Sequence, residues 1–95
     1  MARLILHAYV SGRVQGVGFR FNTKWMGDRY QLRGWVRNLD DGRVEVKAEG
    51  SKPQLEEFLT WLNHGPRHAR VDRVDYKFLD ASDEKFSLQE FEIVD

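Results

Sequence analysis

No cysteine occurs in the chain, so disulfides, thiolate metal sites and thiol nucleophiles are excluded. That absence suits a reducing compartment, and a cytoplasmic location is expected. Long apolar runs are missing too. None approaches the roughly 18 residues that a membrane-spanning helix needs, and Met1-Ala2-Arg3 leads into an apolar segment without a signal-peptide pattern. No partnership with membrane is expected. Net charge is absent as well: 15 Lys and Arg stand against 15 Asp and Glu. No global field therefore draws the chain to nucleic acid, and any attraction for anions has to be local. Only 2 prolines are present, and no Pro/Gly/Ser-rich linker, low-complexity tract or repeat interrupts the 95 residues. One domain over residues 1–95 is expected, with room for two packed layers.

What the chain does contain is a concentration of glycine and arginine. Gly12-Arg13-Val14-Gln15-Gly16-Val17-Gly18-Phe19-Arg20 follows the apolar run Leu4-Ile5-Leu6-His7-Ala8-Tyr9-Val10 and precedes a stretch able to form a helix. A strand that feeds a glycine loop and then a helix is a natural anion cradle. Glycine lets backbone N–H groups approach closely, and the helix N-terminus adds partial positive charge. A guanidinium beside it would match phosphate or carboxylate oxygens in pairs. By spacing alone, the same loop also reads as a tight turn with solvated arginines.

The remaining pattern predicts β-α-β-β-α-β with a short last strand. The first strand covers about Arg3 to Ser11, and a helix from about Arg20 to Gln31 presents Phe21, Trp25, Met26 and Tyr30 on one face, with Gly27 weakening it. Arg33 to Leu39 and Arg43 to Glu49 read as strands joined at Asp40-Asp41-Gly42, where Asp-Gly is a strong hairpin signal. Parity places Val36 and Asn38 on one face, and Val44, Val46 and Ala48 on one face of the next arm. Ser51 and Gln54 form a capping box, with Pro53 in the first turn and Leu55, Phe58, Leu59 and Leu62 as the apolar stripe. Gly65-Pro66 ends that helix. Val71 to Leu79 alternates, with Val74, Tyr76 and Phe78 inward. After the acidic loop Asp80-Ala81-Ser82-Asp83-Glu84 comes a strand over about Phe86 to Val94, whose Phe86 and Leu88 differ in parity from Phe91 and Ile93, so a bulge or late start is expected. The fold class is α+β: a ferredoxin-like two-layer sandwich, its antiparallel sheet of four to five strands covered on one face by two helices.

Several chemistries are excluded by their residues. The glycine loop lacks the Lys-Ser/Thr ending of a Walker loop and the third glycine of a dinucleotide loop. His64 and His68 are separated by the helix-breaking Gly65-Pro66, so no metal site is expected. No local Ser/His/Asp or Cys/His arrangement indicates a covalent intermediate, and His7 reads as a strand residue. Trp25, Trp35 and Trp61 could stack bases, but the third strand, Gly42-Arg43-Val44-Glu45-Val46-Lys47-Ala48, carries none of the aromatics that an RNA-recognition sheet displays. No nucleic-acid partner is expected.

Residues 12–20 resemble the first acylphosphatase signature, G-x-V-Q-G-V-x-F-R. Gly34-Trp35-Val36-Arg37-Asn38, followed by Asp41-Gly42-x-Val44-Glu45, resembles the second. The similarity continues through Gly65-Pro66, Ala69-Arg70-Val71, Val74 and Phe91-Glu92-Ile93, and so spans essentially the whole chain. The resemblance implies a ferredoxin-like fold and metal- and cofactor-free hydrolysis of small acyl phosphates to a carboxylate and inorganic phosphate. By motif position it implies that Arg20 and the backbone N–H groups of Gln15, Gly16, Val17, Gly18, Phe19 and Arg20 bind the phosphoryl group, and that Asn38 holds the attacking water. A monomer is expected, with acyl phosphate and inorganic phosphate as its partners. The alternative is a non-catalytic anion-binding or regulatory module on the same fold. Gly27 and Gln31 depart from the alanine and glycine common in the family, which predicts fraying or strain where the first helix ends.

Overall fold

The computed structural model describes residues 3–81 and 90–95. Strand β1 (Leu4–Arg13) runs into helix α1 (Phe19–Arg29); β2 (Arg33–Asn38) and β3 (Val44–Gly50) form a hairpin; α2 (Lys52–His64), β4 (Arg70–Asp80) and β5 (Phe91–Ile93) follow. The sheet order is β4-β1-β3-β2-β5. Its first four strands pair antiparallel, whereas β5 adds in parallel to β2, with Gly34 opposite Phe91 and Val36 opposite Ile93. Strand β5 begins at Phe91; the expected bulge or late start turns on Phe86 and Leu88, which, with Ser82 to Glu84 of the acidic loop, lie outside the described residues.

Strand alternation builds the core. Leu6, Ala8 and Val10 of β1, Val36 of β2 and Val44, Val46 and Ala48 of β3 are buried in one cluster with Leu55, Phe58 and Leu62 of α2. The capping box at α2 forms as its sequence dictates: Ser51 Oγ accepts from the Gln54 N–H, and the Ser51 N–H donates to Gln54 Oε1. In the β2–β3 turn the Leu39 N–H donates to the Arg43 carbonyl at 2.8 Å and the Gly42 N–H to the Leu39 carbonyl at 3.2 Å. Of the turn residues only Gly42 has positive φ; Asp41 instead accepts from the Arg43 N–H and Nε. Among the described residues, no helix is long and apolar enough to cross a membrane.

Two side-chain assignments need correction. The buried face of α1 is Phe19, Thr23 and Gly27, with Met26 and Tyr30 partly buried, whereas Phe21 is 67% and Trp25 55% exposed. Beyond Phe19, which precedes the predicted helix, small residues make this contact face, and apolar periodicity cannot register them. A Cβ at Gly27 would stand 2.4 Å from the Phe91 ring, so the glycine that weakens α1 is also what seats β5 against it. The buried Thr23 hydroxyl donates to the Phe19 carbonyl at 2.7 Å, which removes its cost. Tyr76 shares the inward parity of Val74 and Phe78 but is 53% exposed, because β4 is an edge strand.

The end of α1 carries the predicted strain. The Leu32 N–H donates to the Gly27 carbonyl and the Gln31 N–H to the Asp28 carbonyl, the double closure of a Schellman motif. Its left-handed residue is Gln31, with φ 58°, the one non-glycine at positive φ among the described residues. Gln31→Gly is expected to stabilise the fold by about 1 kcal/mol, raising Tm by roughly 4–8 °C. A thermal melt checks this, and an unchanged or lower Tm would show that Gln31 contributes packing that offsets its backbone cost.

Candidate active site

The loop between β1 and α1 is shaped by its glycines. Gly16 and Gly18 have φ of 73° and 78°, and Val17 between them does not share the positive sign. Such alternation of handedness turns successive backbone N–H groups toward one point, the concavity in which backbone amides bind anions. The N–H groups of residues 16–20 find no acceptor among the described residues. Gly18 is the N-cap of α1 with no side-chain cap, and no acidic residue occupies the first turn, so the helix terminus also presents unsatisfied donors. Nothing lies within 4 Å of where a Gly16 Cβ would be; the loop opens outward there.

A cleft of about 210 Å³ adjoins these groups, lined by Val14, Gly16, Gly18, Phe19, Arg20, Phe21 and Ile93. Arg20, in the first turn of α1, is one of the lining residues. Among the described residues no carboxylate pairs with Arg20; Arg13, Arg29, Arg33 and Arg67 share that state, but of these five arginines Arg20 is the one that lines this cleft. A larger hollow, about 360 Å³, is lined by Asp28, Gln31, Leu32, Arg33 and Glu90, and its two carboxylates make it a poor place for an anion.

Asn38 ends β2, on the parity of the buried Val36. Its Oδ1 is buried and has no hydrogen-bond partner among the described residues, a costly arrangement for an acceptor unless a water or ligand donates to it. Asn38 is not among the residues lining the cleft, but a side chain ties its neighbourhood to the loop. Gln15 Nε2 donates to the Leu39 carbonyl at 2.8 Å and to the Arg43 carbonyl at 3.0 Å. The loop is thus stapled to both arms of the hairpin, one residue beyond Asn38. Sequence reasoning assigned Gln15 only a backbone role; its side chain makes long-range bonds that no local pattern announces.

The other concentration of titratable groups lies on the opposite sheet face. Glu45, only 5% exposed, receives His7 Nε2 at 2.6 Å and Arg37 Nη2 at 2.7 Å. Burial pushes its carboxyl up, but hydrogen bonds from His7, Arg37 and Tyr9 outweigh that and hold it below the usual glutamate range. Hydrogen bonding to Glu45, ahead of burial, raises the Tyr9 hydroxyl. By strand parity this network is structural and away from the cleft. Among the described residues, no three His, Asp or Glu side chains converge as metal ligands would.

The two signature stretches thus lie side by side, joined through the Gln15 side chain. The acylphosphatase family model matches residues 6–93. The chain belongs to the acylphosphatase family. An acylphosphatase of Pseudomonas aeruginosa is 60% identical over 75 residues, covering 79% of this chain and 82% of that protein. The crystal structure of acylphosphatase from Bacillus subtilis superposes with TM-score 0.87 at 37% identity, covering 96% of this chain and 98% of the other. An acylphosphatase from Coxiella burnetii gives TM-score 0.88 at 34% identity, covering 98% and 94%. The ferredoxin-like arrangement of this acylphosphatase-family chain is therefore shared along nearly its whole length.

Proposed function

We propose that the chain hydrolyses the carboxyl–phosphate bond of small acyl phosphates, with Arg20 and the backbone N–H groups of residues 15–20 holding the phosphoryl group and Asn38 holding the attacking water. One observation carries the reading: a loop whose amides lack acceptors among the described residues and an arginine with no carboxylate partner among them line one cleft. Phosphoryl transfer passes through a loose transition state with charge spread over the equatorial oxygens, so positioning and positive potential supply most of the catalysis. Amides fixed by Gly16 and Gly18 need no reorganisation when that charge develops. The Arg20 fork takes two oxygens at once.

The water attacks phosphorus opposite the acyl oxygen. The bond from phosphorus to that oxygen breaks, its electron pair leaves on the carboxylate, and the water's proton passes to a phosphoryl oxygen. Among the described residues no histidine or carboxylate lines the cleft, which favours the phosphoryl oxygen as acceptor. A carboxylate is a weak base and departs without a general acid. Asn38 suits the water because its amide offers both an acceptor and donors, and Oδ1 is left without a partner among the described residues.

The chain treated with EDTA is expected to hydrolyse benzoyl phosphate with undiminished rate, since Arg20 supplies the positive charge that a metal would. Loss of activity on chelation would overturn the metal-free mechanism. Binding of inorganic phosphate without any turnover would make the chain an anion-binding module.

A further inference from the structure

We propose that Phe21 and Ile93 form the seat for the acyl group, so that the cleft selects acyl phosphates with an apolar or aromatic acyl portion. This rests on the acylphosphatase reading of the same cleft and adds the part of the substrate that the phosphoryl cradle does not touch. Phe21 and Ile93 line the cleft together with Gly16, Gly18 and Arg20. Both are exposed large apolar residues, Phe21 at 67% and Ile93 at 40%.

The amides and the guanidinium engage the non-bridging oxygens, so the acyl substituent has to leave the cradle by its open side. There it meets a phenyl ring one residue beyond Arg20 and an isoleucine from the edge strand β5, which reaches the cleft by its parallel pairing with β2. No lysine, arginine other than Arg20, or carboxylate lines that cleft to pair with a charged acyl group. Farther along α1, Trp25 continues the apolar surface at 55% exposure, under the Arg29 guanidinium. A benzoyl ring placed against Phe21 and Ile93 buries apolar area on both sides, whereas an acetyl methyl buries little.

The test compares benzoyl and acetyl phosphate. The wild-type chain is expected to prefer benzoyl phosphate, and Phe21→Ala is expected to lower the benzoyl-to-acetyl ratio of kcat/KM about tenfold, chiefly through KM. Phe21→Leu should recover part of the ratio. Because Phe21 is exposed, the variant's thermal melt is expected to match the wild type, which separates loss of a contact from loss of fold. An unchanged ratio, or equal losses on both substrates, would overturn the proposal. So would a parallel loss of inhibition by inorganic phosphate, which would show that Phe21 shapes the cradle. Failure of the wild type to hydrolyse either compound would instead remove the underlying reading, and the acyl seat with it.

Discussion

Arg20→Ala is expected to lower kcat/KM for benzoyl phosphate by about 10³-fold or more and to abolish inhibition by inorganic phosphate. Among the described residues Arg20 is the one positively charged residue lining the cleft, and no carboxylate among them pairs with it. Backbone amides remain in the variant, but they carry only partial charge, and the helix terminus contributes about 0.3–1 kcal/mol per anionic charge at an exposed site. Both ground-state phosphate and the transition state lose their principal counter-charge, so affinity and rate fall together. Arg20→Lys should recover only part of the loss, since an ammonium restores charge without the planar fork. Steady-state kinetics with phosphate as a competitive inhibitor measure both effects. Retained phosphate inhibition in Arg20→Ala would mean that the amides alone bind the anion and that Arg20 serves only the transition state.

Asn38→Ala should separate the two effects. Its expected result is a fall in kcat of about 10²-fold with KM and phosphate inhibition little changed, the signature of an interaction made only with the reacting water. Three observations converge on that role. Asn38 ends a strand on the buried parity, its Oδ1 lacks a donor among the described residues, and Gln15 holds the hairpin to the phosphate loop through Leu39 and Arg43. A water on Asn38 is thereby fixed relative to the cradle by two short hydrogen bonds rather than by chance proximity. Replacing the amide with a methyl leaves the cradle intact and the nucleophile unplaced. A rise in the phosphate inhibition constant to match the fall in kcat would instead identify Asn38 as a phosphate ligand.

Features that depend on neighbours in the chain were legible from residues alone. The capping box at Ser51 and Gln54, the stop at Gly65-Pro66 and the hairpin at Asp41-Gly42 each follow from a local backbone requirement that few residue types meet. Strand parity placed Asn38 beside Val36 for the same reason, since side chains in a strand alternate strictly. The missing glycine at the end of α1 foretold the strain seen at Gln31, because only backbone conformation is involved.

The face of α1 could not be read that way. Apolar periodicity selects large residues, but beyond Phe19 the helix packs through the small Thr23 and Gly27, and the room at Gly27 acquires meaning only once the Phe91 ring arrives from β5. Phe21 and Trp25 are exposed for the same reason. By itself the sequence determined the element order, the glycine loop and the identities of Arg20 and Asn38 as candidates, because glycine, arginine and asparagine have few substitutes for those tasks. Tertiary structure alone decided that Gln15 staples loop to hairpin, that Arg20 is left unpaired, and that Phe21 and Ile93 flank the cleft. Those are contacts between residues far apart in the chain, and their geometry exists only after the sheet has set the register of one strand against another.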